Sequence, residues 1–202
     1  MIDILEQLAI GSVAGVIGAA IFLVVLSFLR PRIRVSSVIT GEPSGPADAP
    51  LTYRFKVVNM SRRPCVDVSI RAWRVIEHTI PGEKAGTFGK RRRLTEIDLK
   101  RRDGGMIPGY DKNDTNSSYA KQVRFTQQAI DVLNQEAGAY LLVAVVARDG
   151  WSGFPKSVQQ EYRLNTQVEK GKTFAAGKSM NLKPWIGNPG SAASKVEANP
   201  SS

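Results

Sequence analysis

"CVDVSIRAWRVI" (residues 65–76) decides the fold class, because apolar side chains recur in it at every second position. A period of two is the spacing of a β-strand with one face in a core, whereas a helix repeats at about 3.6 residues. The alternation predicts a strand that turns Trp73 and Val75 to its other face, unless a β-bulge shifts the pattern. The predicted inward set is Val66, Val68, Ile70 and Ala72.

Other segments along the chain share this period or come near it. They are "RIRVSSVIT" (32–40), "TYRFKVVN" (52–59), "RLTEIDL" (93–99), "YAKQVRF" (119–125), "YLLVAVVAR" (140–148) and "KSVQQEYR" (156–163). Turn-forming Gly, Pro, Asn and Asp separate them. Seven short strands separated by such turn residues predict an all-β domain over residues 30–165, a seven-stranded antiparallel sandwich.

"TQQAIDVLNQEAG" (126–138) does not follow the two-residue period of a strand. Thr126 can cap a helix, Ile130 and Leu133 lie near one helical face, and Gly138 can end it. The pattern predicts a short helix that crosses from the fifth strand to the sixth.

"EAGAYLL" (136–142) resembles the corner of immunoglobulin-type domains, where an acidic residue, a glycine and a tyrosine lead into the sixth strand. The resemblance implies that Tyr140 folds its hydroxyl back onto the corner and that Leu142 takes the place of the usual second cysteine. Both disulfide cysteines of that family are missing. On this alignment Tyr140, Leu142, Ala144 and Val146 point inward, and Leu141, Val143 and Val145 point outward.

"YRFKVVNMSRRPCVDVSIRAWRV" (53–75) with "VVARDGWSGFPKSVQQEYR" (145–163) resembles a recurring type of bacterial membrane protein. That type has one membrane span and one small immunoglobulin-like sandwich. The resemblance implies a fold and a topology, and it implies no activity.

"LAIGSVAGVIGAAIFLVVLSFLRPRIR" (8–34) stands near the start of the chain, and no charged side chain lies between Glu6 and Arg30. At about 1.5 Å per residue, such a run reaches roughly 30 Å, the thickness of the hydrocarbon core of a bilayer. A cleavable signal peptide would need a basic start, a shorter run and a small-residue cleavage site. The run therefore predicts a transmembrane helix over 8–29 after a short segment, 1–7.

The basic residues that flank the predicted span set its orientation. Arg30, Arg32 and Arg34 follow it and no basic residue precedes it, so we expect the N-terminus outside and the domain cytoplasmic, at the plasma (inner) membrane. The single cysteine, Cys65, agrees with this and is expected to be a small buried hydrophobe. Glycosylation triplets at Asn59, Asn113 and Asn116 are the evidence against this topology.

The segment after residue 165 is poor in large apolar residues and rich in small ones, which predicts a disordered tail over 166–202. Trp185, within "LKPWIG", is the one residue there that could anchor a short partner-binding motif. A strand-edge extension, or no role, is the plainer interpretation.

Basic charge is concentrated in one part of the chain. Residues 30–102 hold 17 basic and 7 acidic side chains, and this surplus of ten equals the net charge of the whole chain, +10. Three interpretations compete: charges that protect an edge strand from pairing, attraction to anionic lipid, and non-specific binding of nucleic acid without an aromatic platform. The cluster consists of Lys90, Arg91, Arg92, Arg93, Lys100, Arg101 and Arg102.

Catalytic and metal-binding patterns are missing from the sequence. One His and one Cys exclude a zinc site, and His78 has no nucleophile motif beside it. Glu96 and Asp98 share a strand face among arginines, as solvated charges do, and no phosphate-binding loop occurs. We expect no cofactor and no enzymatic activity.

The sequence therefore predicts a single-pass, membrane-anchored binding or assembly module that meets a protein partner or a second copy of itself. An accessory or effector subunit of a membrane-acting system, such as bacterial phage defence, is the alternative. Self-association would use small residues that recur every four positions in the span and an apolar patch on the domain. The residues concerned are Gly11, Gly15, Ala19, Trp73, Leu141, Val143 and Val145.

Overall fold

The structure, a computed structural model, describes residues 2–43, 51–81, 88–100, 103–126, 130–131 and 138–185. At residues 2–12, 14 and 27 and at a few strand ends it describes the backbone alone. The elements are α1 (Ile2–Leu29), β1 (Ile33–Val35), β2 (Ile39–Pro43), β3 (Leu51–Asn59), β4 (Cys65–Pro81), β5 (Phe88–Ile97), β6 (Asp103–Ile107), β7 (Ala120–Thr126), β8 (Tyr140–Asp149), β9 (Pro155–Tyr162), α2 (Leu164–Gln167), β10 (Val168–Lys170), β11 (Lys172–Phe174) and β12 (Leu182–Pro184).

Two five-stranded sheets make up most of the described chain, so the all-β prediction is confirmed. In the first sheet, β3 pairs with β7 on one side and with β1 and then β2 on the other. In the second, β4 pairs with β8 on one side and with β5 and β6 on the other, and β9 follows β8. The pairs are antiparallel, except that β10 joins β2 in parallel.

The core lies between the inward faces of these two sheets. The ring of Phe55 on β3 lies 6.3 Å from those of Phe125 on β7 and Tyr162 on β9, measured between centroids. The hydroxyl of Tyr162 donates to the carbonyl of Ser36 at 2.6 Å. Burial raises the pKa of Tyr162 well above its usual value. The hydrogen bond satisfies this hydroxyl within the core, where an unpaired one would be costly.

A β-bulge near the start of β4 decides which of its side chains face the core. The pairing with β8 shifts between Val66 and Ser69, and Asp67 takes the left-handed conformation with φ +50°. Cys65 is fully buried, whereas Val66 is only half-buried. Beyond the bulge the predicted inward set is confirmed, since Val68, Ile70 and Ala72 are all buried.

The predicted orientation of β8 was wrong by one residue. Val145 pairs with Ile70 and Val143 with Ala72, so the odd-numbered residues of β8 share the face that β4 turns to the core. Every position from 140 to 147 is apolar, and alternation therefore could not distinguish the two faces. The inward set is Leu141, Val143, Val145 and Ala147; the outward set is Tyr140, Leu142, Ala144 and Val146.

The positions that the immunoglobulin-type corner implies for Tyr140 and Leu142 are wrong for the same reason, since both residues lie on the outward face of β8. The hydroxyl of Tyr140 donates to Oε1 of Glu77, on the neighbouring strand β4, at 3.4 Å. Leu142 is half-buried on the outer face, opposite Trp73, and does not occupy the core position of a cysteine. Of the predicted crossover helix, Ile130 and Asp131 are helical and Ile130 is buried; the rest, including Leu133, lies outside the described residues.

The prediction of a disordered tail was wrong for residues 168–185. β10 extends the first sheet, and β11 pairs with β12 as a small separate sheet. The amino group of Lys56 on β3 donates to the carbonyls of Ala175 (2.7 Å) and Ser179 (2.8 Å), and burial lowers its pKa. The N–H of Trp185 donates to the carbonyl of Gly171 at 3.0 Å. Residues 186–202 lie outside the described residues.

Helix α1 begins earlier than predicted, at Ile2, and ends at Leu29 as predicted. Within the part of the chain that the structure describes, no helix is both long enough and apolar enough to cross a membrane. The span over residues 8–29 therefore stays a prediction.

Candidate functional site

The C-terminal end of α1 is held by two loops of the β-domain. The guanidinium of Arg63, between β3 and β4, donates to the carbonyl of Phe28, and the hydroxyl of Ser152, between β8 and β9, donates to the carbonyl of Leu29 at 2.9 Å. The last carbonyls of a helix have no partners within the helix, so these donors act as a cap. The domain is thereby attached to the helix by more than the connecting chain.

Asp149 shapes the loop between β8 and β9. Its Oδ1 accepts the N–H groups of Trp151 (3.0 Å) and Ser152 (2.9 Å), and its Oδ2 lies 3.1 Å from Nε of Arg63. Burial alone would raise the pKa of Asp149, but the hydrogen bonds from Ser152 and Trp151 and the charge of Arg63 outweigh it and lower the pKa. One buried carboxylate therefore links the turn to the arginine that contacts α1.

Trp151 is the most exposed of the large hydrophobic residues described, at 79%. Its backbone is fixed by Asp149, and Gly153 completes the turn with a φ of +70°, a conformation that glycine adopts most easily. Ser152, which follows it directly, contacts the end of α1. A rigid turn thus holds an exposed indole beside the last residues of the helix.

The basic cluster lies mainly inside β5, which begins at Phe88, five residues before the predicted strand over 93–99. Lys90, Arg91, Arg92 and Arg93 belong to β5, an edge strand of the second sheet, and Lys100 is exposed beyond it. Arg101 and Arg102 lie outside the described residues. β4 and β5 remain paired as far as Pro81 and Phe88, whereas β8 accompanies β4 only to Val75. We call residues 76–81 and 88–93, which extend past β8, the basic ribbon.

The two faces of the basic ribbon differ in how their charges are balanced. Glu77 pairs with Arg92 at 3.0 Å and with Lys90 at 3.8 Å. Arg91 lies opposite the exposed His78 and Arg93 opposite Ile76, and no ion pair is shown for either arginine in the described part of the chain. The face with Arg91 and Arg93 therefore carries the less balanced positive charge.

The basic ribbon and the end of α1 lie at opposite ends of β4. Cys65 pairs with Asp149, the residue that organises the loop beside α1, and Glu77 is twelve residues further along the strand. At about 3.3 Å per residue, that separation is roughly 40 Å. The register therefore separates the basic ribbon from the place where α1 meets the domain.

The outward apolar face of the second sheet differs from the predicted patch. Trp73 lies on it as expected, but Leu141, Val143 and Val145 are buried in the core. The residues that take their place are Leu142, half-buried beside Trp73, and the more exposed Leu94 (53%) and Val146 (42%). On α1, a Cβ added to Gly15 would meet open space and Ala19 is exposed, whereas for Gly11 the structure describes only the helical backbone.

Cys65 and Asn59 occupy buried, structural positions. Burial raises the pKa of Cys65 to about 11, so its thiol stays protonated near neutral pH. Asn59 is buried, and its side-chain amide donates to the carbonyls of Arg63 (2.8 Å) and Pro108 (3.0 Å), so a glycan on it is incompatible with this packing. Among the residues described, no cluster of His, Cys, Asp or Glu could hold a metal ion.

No motif in the sequence marks the residues around the end of α1 as a site. "DGWSGFP" (149–155) lies between the predicted strands over 140–148 and 156–163, and the tryptophan within this Gly-containing turn is the available signal. The contacts of Arg63 and Ser152 with α1 link residues 35 and 123 positions apart, so no local pattern marks them.

Comparison of the chain with protein-family models and with curated proteins gives no match.

Proposed function

We propose that the chain is a membrane-anchored binding or assembly module, with α1 in the plasma membrane and the β-domain on the cytoplasmic side. The observation that carries the proposal is the apolar surface of α1. A helix exposed in this way is stable when lipid or protein surrounds it, because water contact with so much apolar area is unfavourable. The exposed side chains are Val13, Val16, Ile17, Ile21, Phe22, Leu23, Val24, Val25 and Phe28.

For the domain we propose an immunoglobulin-like sandwich. Support comes from the pairing of β3 with β7 in one sheet and of β4 with β8 and β8 with β9 in the other. The chain crosses between the two sheets after β3, β6, β7 and β9, and repeated crossings of this kind are typical of such sandwiches.

Membrane fractions from cells that make the full chain test the anchor. We expect the chain to stay in the pellet after extraction with alkaline carbonate, and a cytoplasm-dependent reporter fused after Ser202 to be active. The double variant Ile17→Arg/Leu23→Arg should enter the supernatant, because each central arginine costs about 2.5–3.5 kcal/mol in a span. The surface variant Arg91→Gln/Arg93→Gln, of matched number, should pellet like the wild type.

Release of the unaltered chain by carbonate would contradict the anchor and would favour a helix that lies on the membrane surface or against another protein. An inactive reporter on a carbonate-resistant chain would contradict only the orientation.

The binding part of the proposal rests on the basic ribbon. Measured along β4, the ribbon lies roughly 40 Å from the end of α1, so its charges are screened from the headgroups that immediately surround α1. A two-stranded ribbon is marginal by itself, and its charges protect an exposed edge from pairing with other strands. We propose that it also meets an acidic macromolecular partner.

The two faces of the basic ribbon provide a matched comparison for this binding. We expect Arg91→Gln/Arg93→Gln to lower the salt concentration at which the full chain, in detergent, elutes from immobilised polyglutamate. Lys90→Gln/Arg92→Gln removes the same charge and should lower it less, because those two side chains already share the carboxylate of Glu77. Equal elution of both variants and the wild type would leave edge protection as the role of the cluster.

A further inference from the structure

We propose that Trp151 and the arginines around the end of α1 form a collar that inserts into the headgroup region of the bilayer and fixes the domain against it. The proposal rests on the anchor proposed above and adds a specific lipid-contacting surface to it. The collar consists of Trp151, Arg30, Arg32 and Arg62.

Every member of the collar is close to the atoms that contact α1. Arg30 follows the last residue of the helix, and the N–H of Arg32 donates to Oγ of Ser61 at 2.7 Å. Arg62 precedes Arg63, whose guanidinium contacts the carbonyl of Phe28. Trp151 precedes Ser152, whose hydroxyl contacts Leu29, and adjacent Cα atoms are about 3.8 Å apart. All four side chains are exposed.

The side chains of the collar are of the types that favour the interface between a membrane and water. Tryptophan is enriched where a membrane meets water, because its ring is largely apolar and its N–H still needs a polar partner. Arginines near a cytoplasmic membrane surface are attracted by anionic lipid, with about 1 kcal/mol for each. An indole so exposed is unfavourable in water, yet Asp149 fixes the backbone that presents it. With α1 in the bilayer, the turn that carries the indole lies at the depth of the last helical turn.

The distribution of hydrogen bonds makes the collar rigid. Two separate loops contact consecutive carbonyls of α1, and Asp149 connects these loops through Arg63 and Ser152. The domain is therefore unable to swing freely about the link at Arg30 and Pro31. Insertion of Trp151 follows from the insertion of α1 without a further loss of conformational freedom.

Fluorescence quenching in liposomes tests the collar. The chain has three tryptophans, so Trp73→Phe/Trp185→Phe leaves Trp151 alone. In the full chain, reconstituted with brominated lipids, we expect bromines near the headgroup to quench Trp151 about twofold or more. Bromines near the bilayer centre should quench it less. The matched variant Trp151→Phe/Trp185→Phe keeps only Trp73, on the outer face of the second sheet, and should not be quenched by either lipid.

A single substitution in the otherwise unchanged chain is the control for misfolding of the double variants. Trp151→Ala alters an exposed side chain, should leave the unfolding midpoint unchanged, and should remove the quenched part of the emission. Unquenched Trp151 in a chain that resists carbonate would overturn the collar and leave the anchor intact. Release of the chain by carbonate would overturn both.

Discussion

Val143→Glu is expected to unfold the β-domain, whereas Val146→Glu, three residues along the same strand, should leave it folded. Val143 is completely buried and Val146 is 42% exposed on the opposite face of β8. A carboxylate at position 143 has no partner in an apolar core, so we expect a loss of at least about 4 kcal/mol. At position 146 water solvates the charge, and the change should be within about 0.5 kcal/mol.

Denaturant unfolding of the full chain in detergent, followed by the circular dichroism of the sheets, measures both effects. Val143→Ala serves as a milder change if the glutamate variant cannot be purified, with an expected loss of about 2 kcal/mol. A larger loss for Val146→Glu than for Val143→Glu would restore the orientation implied by the immunoglobulin-type corner.

The same pair of variants separates folding from assembly. Because Val146 lies on the outer apolar face with Trp73, Val146→Glu should weaken any cross-linking of the chain in membranes without unfolding it. The Val143→Glu change could not make that distinction, since its side chain is in the core. Wild-type chain that remains monomeric would remove self-association from the proposed function.

The strands of this domain differ in how far local sequence predicts them. In β4, polar Ser69 and Arg71 alternate with Val68, Ile70 and Ala72, so the alternation identifies the buried face correctly. β8 has a continuous apolar run, and such runs do not specify a face. Its orientation follows from pairing with β4, a contact between residues about 70 positions apart.

The tail and the site depend even more on distant contacts. Residues 168–185 contain little apolar surface, and they are held by pairing with β2 and by the buried amino group of Lys56. A lysine in an alternating strand predicts an exposed position, not one beneath a later segment. The contacts with the end of α1 likewise join loops that composition shows only to be turns.

Asp149→Ala is expected to destabilise the domain by about 3 kcal/mol, because it removes the acceptor of two backbone N–H groups and leaves the charge of Arg63 without its partner. The carboxylate is fully buried, and the guanidinium is about one-fifth exposed, so water compensates only part of the loss. Asp149→Asn keeps an oxygen for the N–H groups of Trp151 and Ser152, and should cost less. The midpoint of denaturant unfolding measures both losses.

Asp114→Ala provides the control for turn geometry. Asp114 accepts the N–H groups of Asn116 and Ser118 in a similar way, but in an exposed turn that does not contact α1. We expect a smaller change in the unfolding midpoint than for Asp149→Ala. Equal changes would indicate that Asp149 matters only as a turn residue.

The pH dependence of the unfolding free energy tests whether the charge of Asp149 is what stabilises the fold. The pKa of Asp149 is lower in the folded chain than its ordinary value, so the carboxylate stabilises the fold above the unfolded-state pKa of about 3.9. That contribution is lost as the pH falls through the folded-state pKa. The difference in unfolding free energy between the wild type and Asp149→Asn should therefore be largest near neutral pH and should shrink below about pH 4. A difference that stays constant on acidification would show that the shape of the side chain, not its charge, holds the loop against α1.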